Sequence, residues 1–250
     1  MIPSPILKVL STLTSHQVRF LLMGGQACVL YGAAEFSRDT DVAVLAEPDN
    51  LDRLSLALSD LQAECIAVPP FRREFLERGH VVHFRCRHPE AQGVRIDVMA
   101  VMRGVAPFDD LWRRRTTLEV EGGPRLEVMS LPDLVKAKKT QRDKDWPMIR
   151  RLVEAHYAQN WDNPSPEQVL FWLRESRTES VLLELARQYP DQLASAVGSR
   201  SLLALAREGN TAGLAAALET EEKQEREADR AYWLPLRAEL EKHRHPRRQE

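Results

Sequence analysis

The stretch from Leu21 to Val44, LLMGGQACVLYGAAEFSRDTDVAV, constrains this chain more than any other. Val18, Phe20, Leu21 and Leu22 form an apolar run that predicts a buried strand. Gly24-Gly25 breaks that run, Gln26 to Tyr31 has helical character, and Gly32 ends the helix. A second strand is expected from Asp39, and on a strand Asp39 and Asp41 send their carboxylates from the same face. The strand rise puts them about 6–7 Å apart along the chain, near enough to share cations. Two such acids repel unless positive charge sits between them. Val42, Ala43, Val44 and Leu45 follow, so the pair is mounted on buried structure.

A third acid lies downstream, in Val94-Arg95-Ile96-Asp97-Val98-Met99, where apolar neighbours again indicate a strand. Arg95 shares the face of Asp97 and suits either a phosphate contact or an ion pair. His80 to Cys86 alternates apolar and polar residues, and the polar turn from His88 to Gly93 suits an antiparallel hairpin with the Asp97 strand. These parts together resemble the nucleotidyltransferase superfamily typified by DNA polymerase β. Its pattern is a hydrophobic residue, Gly-[Gly/Ser], a short spacer, then Asp-x-[Asp/Glu] between apolar residues, with a third carboxylate on a later strand. Here Met23-Gly24-Gly25 is followed by thirteen residues and then Asp39-Thr40-Asp41-Val42. The later segment SLPDLVKAKKTQRDKDWPMIRRLVEAHY resembles the minimal nucleotidyltransferases of the AbiEii-toxin type. These carry a Ser-x-x-Asp-Leu helix with a lysine five residues after the aspartate, a position held by Lys138. Many toxin relatives place an arginine four residues before the first acid, whereas Arg38 directly precedes Asp39. Aligning on Arg38 and Thr40 would put Ala43 near the second acid's place, so glycine spacing and alternation favour Asp39 and Asp41.

The resemblance covers roughly residues 15–157 and implies an α+β fold, a small mixed sheet with packed helices. It implies two Mg²⁺ ions held by Asp39, Asp41 and Asp97, and nucleotide contacts from Gly24, Gly25, Arg38 and Lys138. The implied reaction moves a nucleoside monophosphate from an NTP to a protein, RNA or small-molecule acceptor. A toxin of a toxin–antitoxin or phage-defence system is one setting, with an antitoxin protein as partner. A catalytically inactive nucleotide- or partner-binding module of the same fold is the alternative. A DNA-binding regulator is a third reading, and it would need a continuous basic surface; the net charge of -2 gives no bulk signal for one.

The three cysteines, Cys28, Cys65 and Cys86, read as small buried hydrophobes in a reducing cytoplasm. His80, His83 and His88 match no zinc spacing, and His83 is expected on the polar face of its strand. The start of the chain lacks the pattern of a signal peptide, and the apolar region around residues 20–34 is too short to span a bilayer. A cytoplasmic protein without membrane contact is the expectation.

Helices are expected over Pro5–His16, from Pro48, over Arg72–Arg78, and through FDDLWRRR. Ser130 and Asp133 start a further helix on which Lys136, Lys138, Lys139 and Arg142 form a positive face. Asp145 caps the next, with Trp146 and Pro147 in its first turn. Trp161 to Pro166 reads as a linker, giving an expected division into a domain of residues 1–159 and an all-helical region of residues 160–250. That region ends in a long helix from about Thr211 to Lys242, whose acidic stretch Glu219–Glu227 reads as a solvated helix or a short coiled coil, and in a basic tail from His243.

Overall fold

A computed structural model describes residues 2–119 and 124–244. The strands expected over Thr117–Glu121 and Leu126–Met129, joined around Gly122-Gly123-Pro124, run partly outside the described residues, as does the tail from His245. The protein is α+β, a seven-stranded mixed sheet with packed helices and a helical C-terminal region. Its contacts divide it into two compact units, one of Met1–Leu30, Ala34–Ala137 and Tyr232–Glu250, the other of Tyr31–Ala33 and Lys138–Ala231.

In the first unit α1 (Ser4–Ser15) begins behind Pro3 with Pro5 in its first turn, and buries Ile6, Val9, Leu10 and Leu13 at helical spacing. There follow β1 (Phe20–Met23), α2 (Gly24–Leu30), β2 (Asp39–Val44), α3 (Pro48–Asp60), β3 (Glu64–Cys65), α4 (Arg73–Glu77), β4 (Val82–Arg85), β5 (Arg95–Met99), α5 (Phe108–Arg114), β6 (Thr116–Glu119), β7 (Arg125–Val128) and α6 (Leu131–Ala137). The strand order is β3-β4-β5-β2-β1-β7-β6. β2 runs parallel to β5 and antiparallel to β1, and β4 and β5 form the expected antiparallel pair. All four residues of β1 are buried, which accounts for its unbroken apolar run. The glycine pair is the first turn of α2 rather than a break ahead of it.

Two features differ from expectation here. Cys65 is exposed, because β3 is a two-residue strand at the sheet edge, whereas Cys28 and Cys86 are buried as expected. The helix after Ser130 stops at Ala137, so Lys138 lies beyond it.

In the second unit α7 (Asp145–Asn160) is followed by α8 (Pro166–Glu175), α9 (Glu179–Gln188), α10 (Pro190–Val197), α11 (Leu203–Arg207) and the larger part of α12 (Thr211–Arg244). α8 starts where it does because Ser165 and Gln168 form a reciprocal capping box. Leu182, Leu185, Leu193 and Leu203 are buried along these helices. The acidic stretch is not simply solvated: the Glu221 carboxylate accepts from Arg177 at 2.6 Å and from Arg200 at 2.8 and 3.0 Å. Arg200 also donates to the carbonyls of Leu173 and Ser176, so Glu221 fastens α12 to the ends of α8 and α10.

The expected boundary after residue 159 falls at the end of α7, inside the second unit. From Tyr232 onward α12 belongs to the first unit. There Glu239 meets the fully buried His80 at 2.8 Å and Arg78 at 2.5 Å, and His243 packs edge-on to Phe75 at 5.1 Å. Among the described residues no helix is long and apolar enough to cross a membrane.

Candidate active site

The register of four adjacent strands builds the site. Met23 of β1 pairs with Asp41 of β2, Asp41 with Asp97 of β5, and Asp97 with His83 of β4. In the neighbouring row Asp39 pairs with Arg95 and Arg95 with Arg85. Laterally paired residues project from the same face, so Asp39, Asp41, Asp97, His83, Arg95 and Arg85 share one face of the sheet. The intervening residues Thr40, Val42, Ile96 and Val98 are fully buried on the other. Alternation on β2 and β5 thus divides a polar face from the core.

Asp97 is 8% exposed and is the most heavily bonded group of the set. Arg95 donates to both its oxygens, Nε to Oδ1 at 2.7 Å and Nη2 to Oδ2 at 2.9 Å. His83 Nδ1 lies 2.8 Å from Oδ1 and 3.0 Å from Arg95 Nη2, so it can donate to the one or accept from the other. Burial pushes the Asp97 pKa up, but hydrogen bonds from His83 and Arg95 and their charges outweigh it and hold the carboxyl below its ordinary range. Arg95 is shifted upward, first by its bond to Asp97 and also by the charges of Asp97, Asp39 and Asp41, against the effect of burial. One guanidinium therefore answers all three aspartates.

The glycine pair closes one side of this face. Gly24 has φ +63°, and a Cβ there would overlap the Asp41 carboxylate. The Gly25 N–H points to Asp41 Oδ2 at 3.4 Å, and a Cβ on Gly25 would overlap the Ser37 hydroxyl. Buried Gln26 donates its side-chain amide to the Ser37 carbonyl at 2.8 Å, which ties the loop before β2 to α2.

Arg38 is exposed at the end of that loop, its guanidinium carbon 5.8 Å from the centre of the Phe36 ring. Lys138 belongs to the second unit, where its ammonium lies 3.2 Å from Asp145 Oδ1 and its side chain is 12% exposed. Asp145 also accepts from Thr140 and Arg142, while Lys139 pairs with Glu175 at 2.7 Å and Lys136 with Asp133 at 4.0 Å. The expected positive helix face is thus a set of ion pairs, most of it past the helix end.

The sequence puts Asp39, Asp41, Asp97 and the glycine pair in one neighbourhood; in the sheet the three acids share a face, with Asp41 beside Asp97 and Gly24 against Asp41. Sequence reasoning missed His83, Gln26 and Ser37 as members of the site. The signal for His83 was its polar phase in β4; its pairing with Asp97 depends on register, which alternation does not give. Carboxylate oxygens suit a hard divalent cation in kind. Among the described residues, however, no three His, Cys, Asp or Glu side chains gather as a metal-binding group, and Arg95 engages both oxygens of Asp97.

No family model and no curated protein matches this chain.

Proposed function

We propose that this chain is a magnesium-dependent nucleotidyltransferase of the DNA polymerase β type, moving a nucleoside monophosphate from an NTP to a protein, RNA or small-molecule acceptor. The observation that carries the reading is the pairing of Asp41 with Asp97 across parallel strands, with Asp39 on the same face and glycine packed against Asp41. Asp39, Asp41 and Asp97 are the residues that would hold two Mg²⁺ ions, which when bound neutralise the triphosphate and favour attack by an acceptor oxygen. The acceptor oxygen gives its proton to solvent and bonds to the α-phosphorus, the bond from that phosphorus to the bridging oxygen breaks, and pyrophosphate leaves. Arg38, exposed beside Asp39, is the cation best placed in sequence to meet the triphosphate. Lys138, the further nucleotide contact that the resemblance implies, is engaged by Asp145. Asp97, held below the ordinary carboxyl range, suits the role of an anionic ligand better than that of a proton acceptor. A toxin role with an antitoxin partner is part of the proposal and is supported by the resemblance of the segment from Ser130 to Tyr157.

A second reading, an inactive module of the same fold, is favoured by one observation: the Arg95–Asp97 pair already satisfies the third carboxylate. The test is incubation of the full chain with each α-labelled NTP, Mg²⁺ and a cell extract. Label fixed to an acceptor by the wild type and lost in Asp39→Asn/Asp41→Asn, with unchanged folding, supports the enzyme. Nucleotide binding without labelling supports the inactive module, and neither binding nor labelling overturns both.

A further inference from the structure

We infer that Phe36 and Arg38 form the platform that receives the nucleobase of the NTP, an inference that rests on the nucleotidyltransferase reading. Phe36 is 61% exposed, the second most exposed large hydrophobic among the described residues. It stands three residues before the first aspartate of the site, on a loop that is held in place. Gln26, 1% exposed, donates to the Ser37 carbonyl at 2.8 Å. Ser37 Oγ donates to the Asp39 carbonyl at 3.4 Å, and the loop packs so closely on α2 that Gly25 has no room for a Cβ. An aromatic ring left in water on a pinned loop is already positioned for stacking and loses little freedom on binding.

The ring borders a shallow cleft of about 230 Å³ lined by Pro3, Ile6, Phe36, Arg38 and Val94. Arg38 and Val94 immediately precede β2 and β5, and the first residues of those strands, Asp39 and Arg95, are register partners. The cleft therefore lies at the end of the sheet where β2 and β5 begin, next to the first residues of the two strands that carry the aspartates. Its walls are mainly apolar, with Ser37, Gln92 and one cation, and the Arg38 guanidinium lies 5.8 Å from the Phe36 ring centre. A planar base stacks on an aromatic ring, and a guanidinium beside it attracts the attached phosphates. A nucleotide combines both features, whereas an aliphatic chain or a lone anion uses only one. Stacking on Phe36 reads the π-face, so all four bases are expected to bind.

The experiment uses the full chain with Mg²⁺ and measures calorimetric affinities for ATP, GTP, CTP, UTP and inorganic tripolyphosphate. Wild type is expected to bind every NTP more tightly than tripolyphosphate. Phe36→Ala and Phe36→Leu should each weaken NTP binding about tenfold and leave tripolyphosphate binding unchanged, while Phe36→Trp retains NTP affinity. Arg38→Ala should weaken both kinds of ligand. Equal NTP affinity in wild type and Phe36→Ala overturns the platform and leaves the nucleotidyltransferase reading standing. Failure of the wild type to bind any NTP overturns that reading and the platform with it.

Discussion

Arg95 holds Asp97 by both carboxylate oxygens from two residues away on the same strand, at 2.7 and 2.9 Å. Such a pair normally faces away from chemistry, as a surface ion pair. Here it lies among three aspartates, and the guanidinium occupies the electrostatic role of the cation that these acids need. A divalent ion that takes Asp97 must first displace this bond. Arg95→Gln is therefore expected to lower the melting temperature in metal-free buffer, because Asp97 keeps only His83. Millimolar Mg²⁺ should raise the melting temperature of the variant more than that of the wild type. Equal responses to Mg²⁺ in the two proteins would remove the competition.

Gly24 is the second lever on the site. An alanine there must adopt a left-handed backbone, at about 1–2 kcal/mol, and its Cβ would displace the Asp41 carboxylate. Gly24→Ala should lose at least that much stability in urea unfolding and show weakened Mg²⁺-dependent NTP binding. Full binding with normal stability would mean that Asp41 need not lie against α2.

Asp145 sets a pH dependence in the second unit. Burial would raise its pKa, but Lys138, Thr140 and Arg142 outweigh burial and hold it below the ordinary value. The unfolded chain then binds this proton more readily than the folded one. Its stabilisation is thus complete above the unfolded pKa of about 3.9 and is lost as pH falls through the folded value. Asp145→Asn should cost about 3–5 kcal/mol near neutral pH, since it leaves Lys138 buried without its counter-charge. The gap between variant and wild type should narrow as pH drops below about 4, where the carboxyl of the unfolded chain takes up a proton that the folded one resists. A gap that stays constant from pH 7 to pH 3 would exclude Asp145 as its source.

The return of α12 to the first unit gives a fourth expectation. Ending the chain at Ala231 removes Glu239 and His243 from the corner built by α4 and β4. Hydrogen exchange of the amides from Arg78 to Phe84 should speed up, while those of α8 and α9 keep their protection. Unaltered exchange over 78–84 would show that the corner holds without the helix.

Much of the sheet was legible because its inner strands carry strong signals: the apolar run of β1, and the alternation of β2 and β5 about Asp41 and Asp97. Period-2 patterns assign a face but not a slide, so the pairing of Asp41 with Asp97 and the place of His83 were invisible. Lys138 was misplaced on a helix because Lys136, Lys139 and Arg142 continue a polar pattern past Ala137. The partners that fix them, Glu175 for Lys139 and Asp145 for Lys138 and Arg142, are set by tertiary packing. The solvated reading of Glu221 fails for the same reason, since Arg177 and Arg200 reach it from the connections after α8 and α10. Cys65 opens the apolar run Cys65 to Val68, yet Ile66 beside it is 42% exposed, so an edge position overrides local hydrophobicity.

His80 and Glu239 are separated by 159 residues. At ordinary translation rates of about 5–20 residues per second, His80 waits roughly 8–30 s on the ribosome for its partner to be made. During that interval the corner leading into β4, the strand that carries His83 toward Asp97, lacks its cover. The last strand among the described residues ends at Val128, so the strands are made well before the part of α12 that brings Glu239 to His80 and Arg78. A chain stopped anywhere before Tyr232 lacks Glu239 and His243, so His80 and Phe75 are left without the carboxylate and the ring that meet them in the full chain.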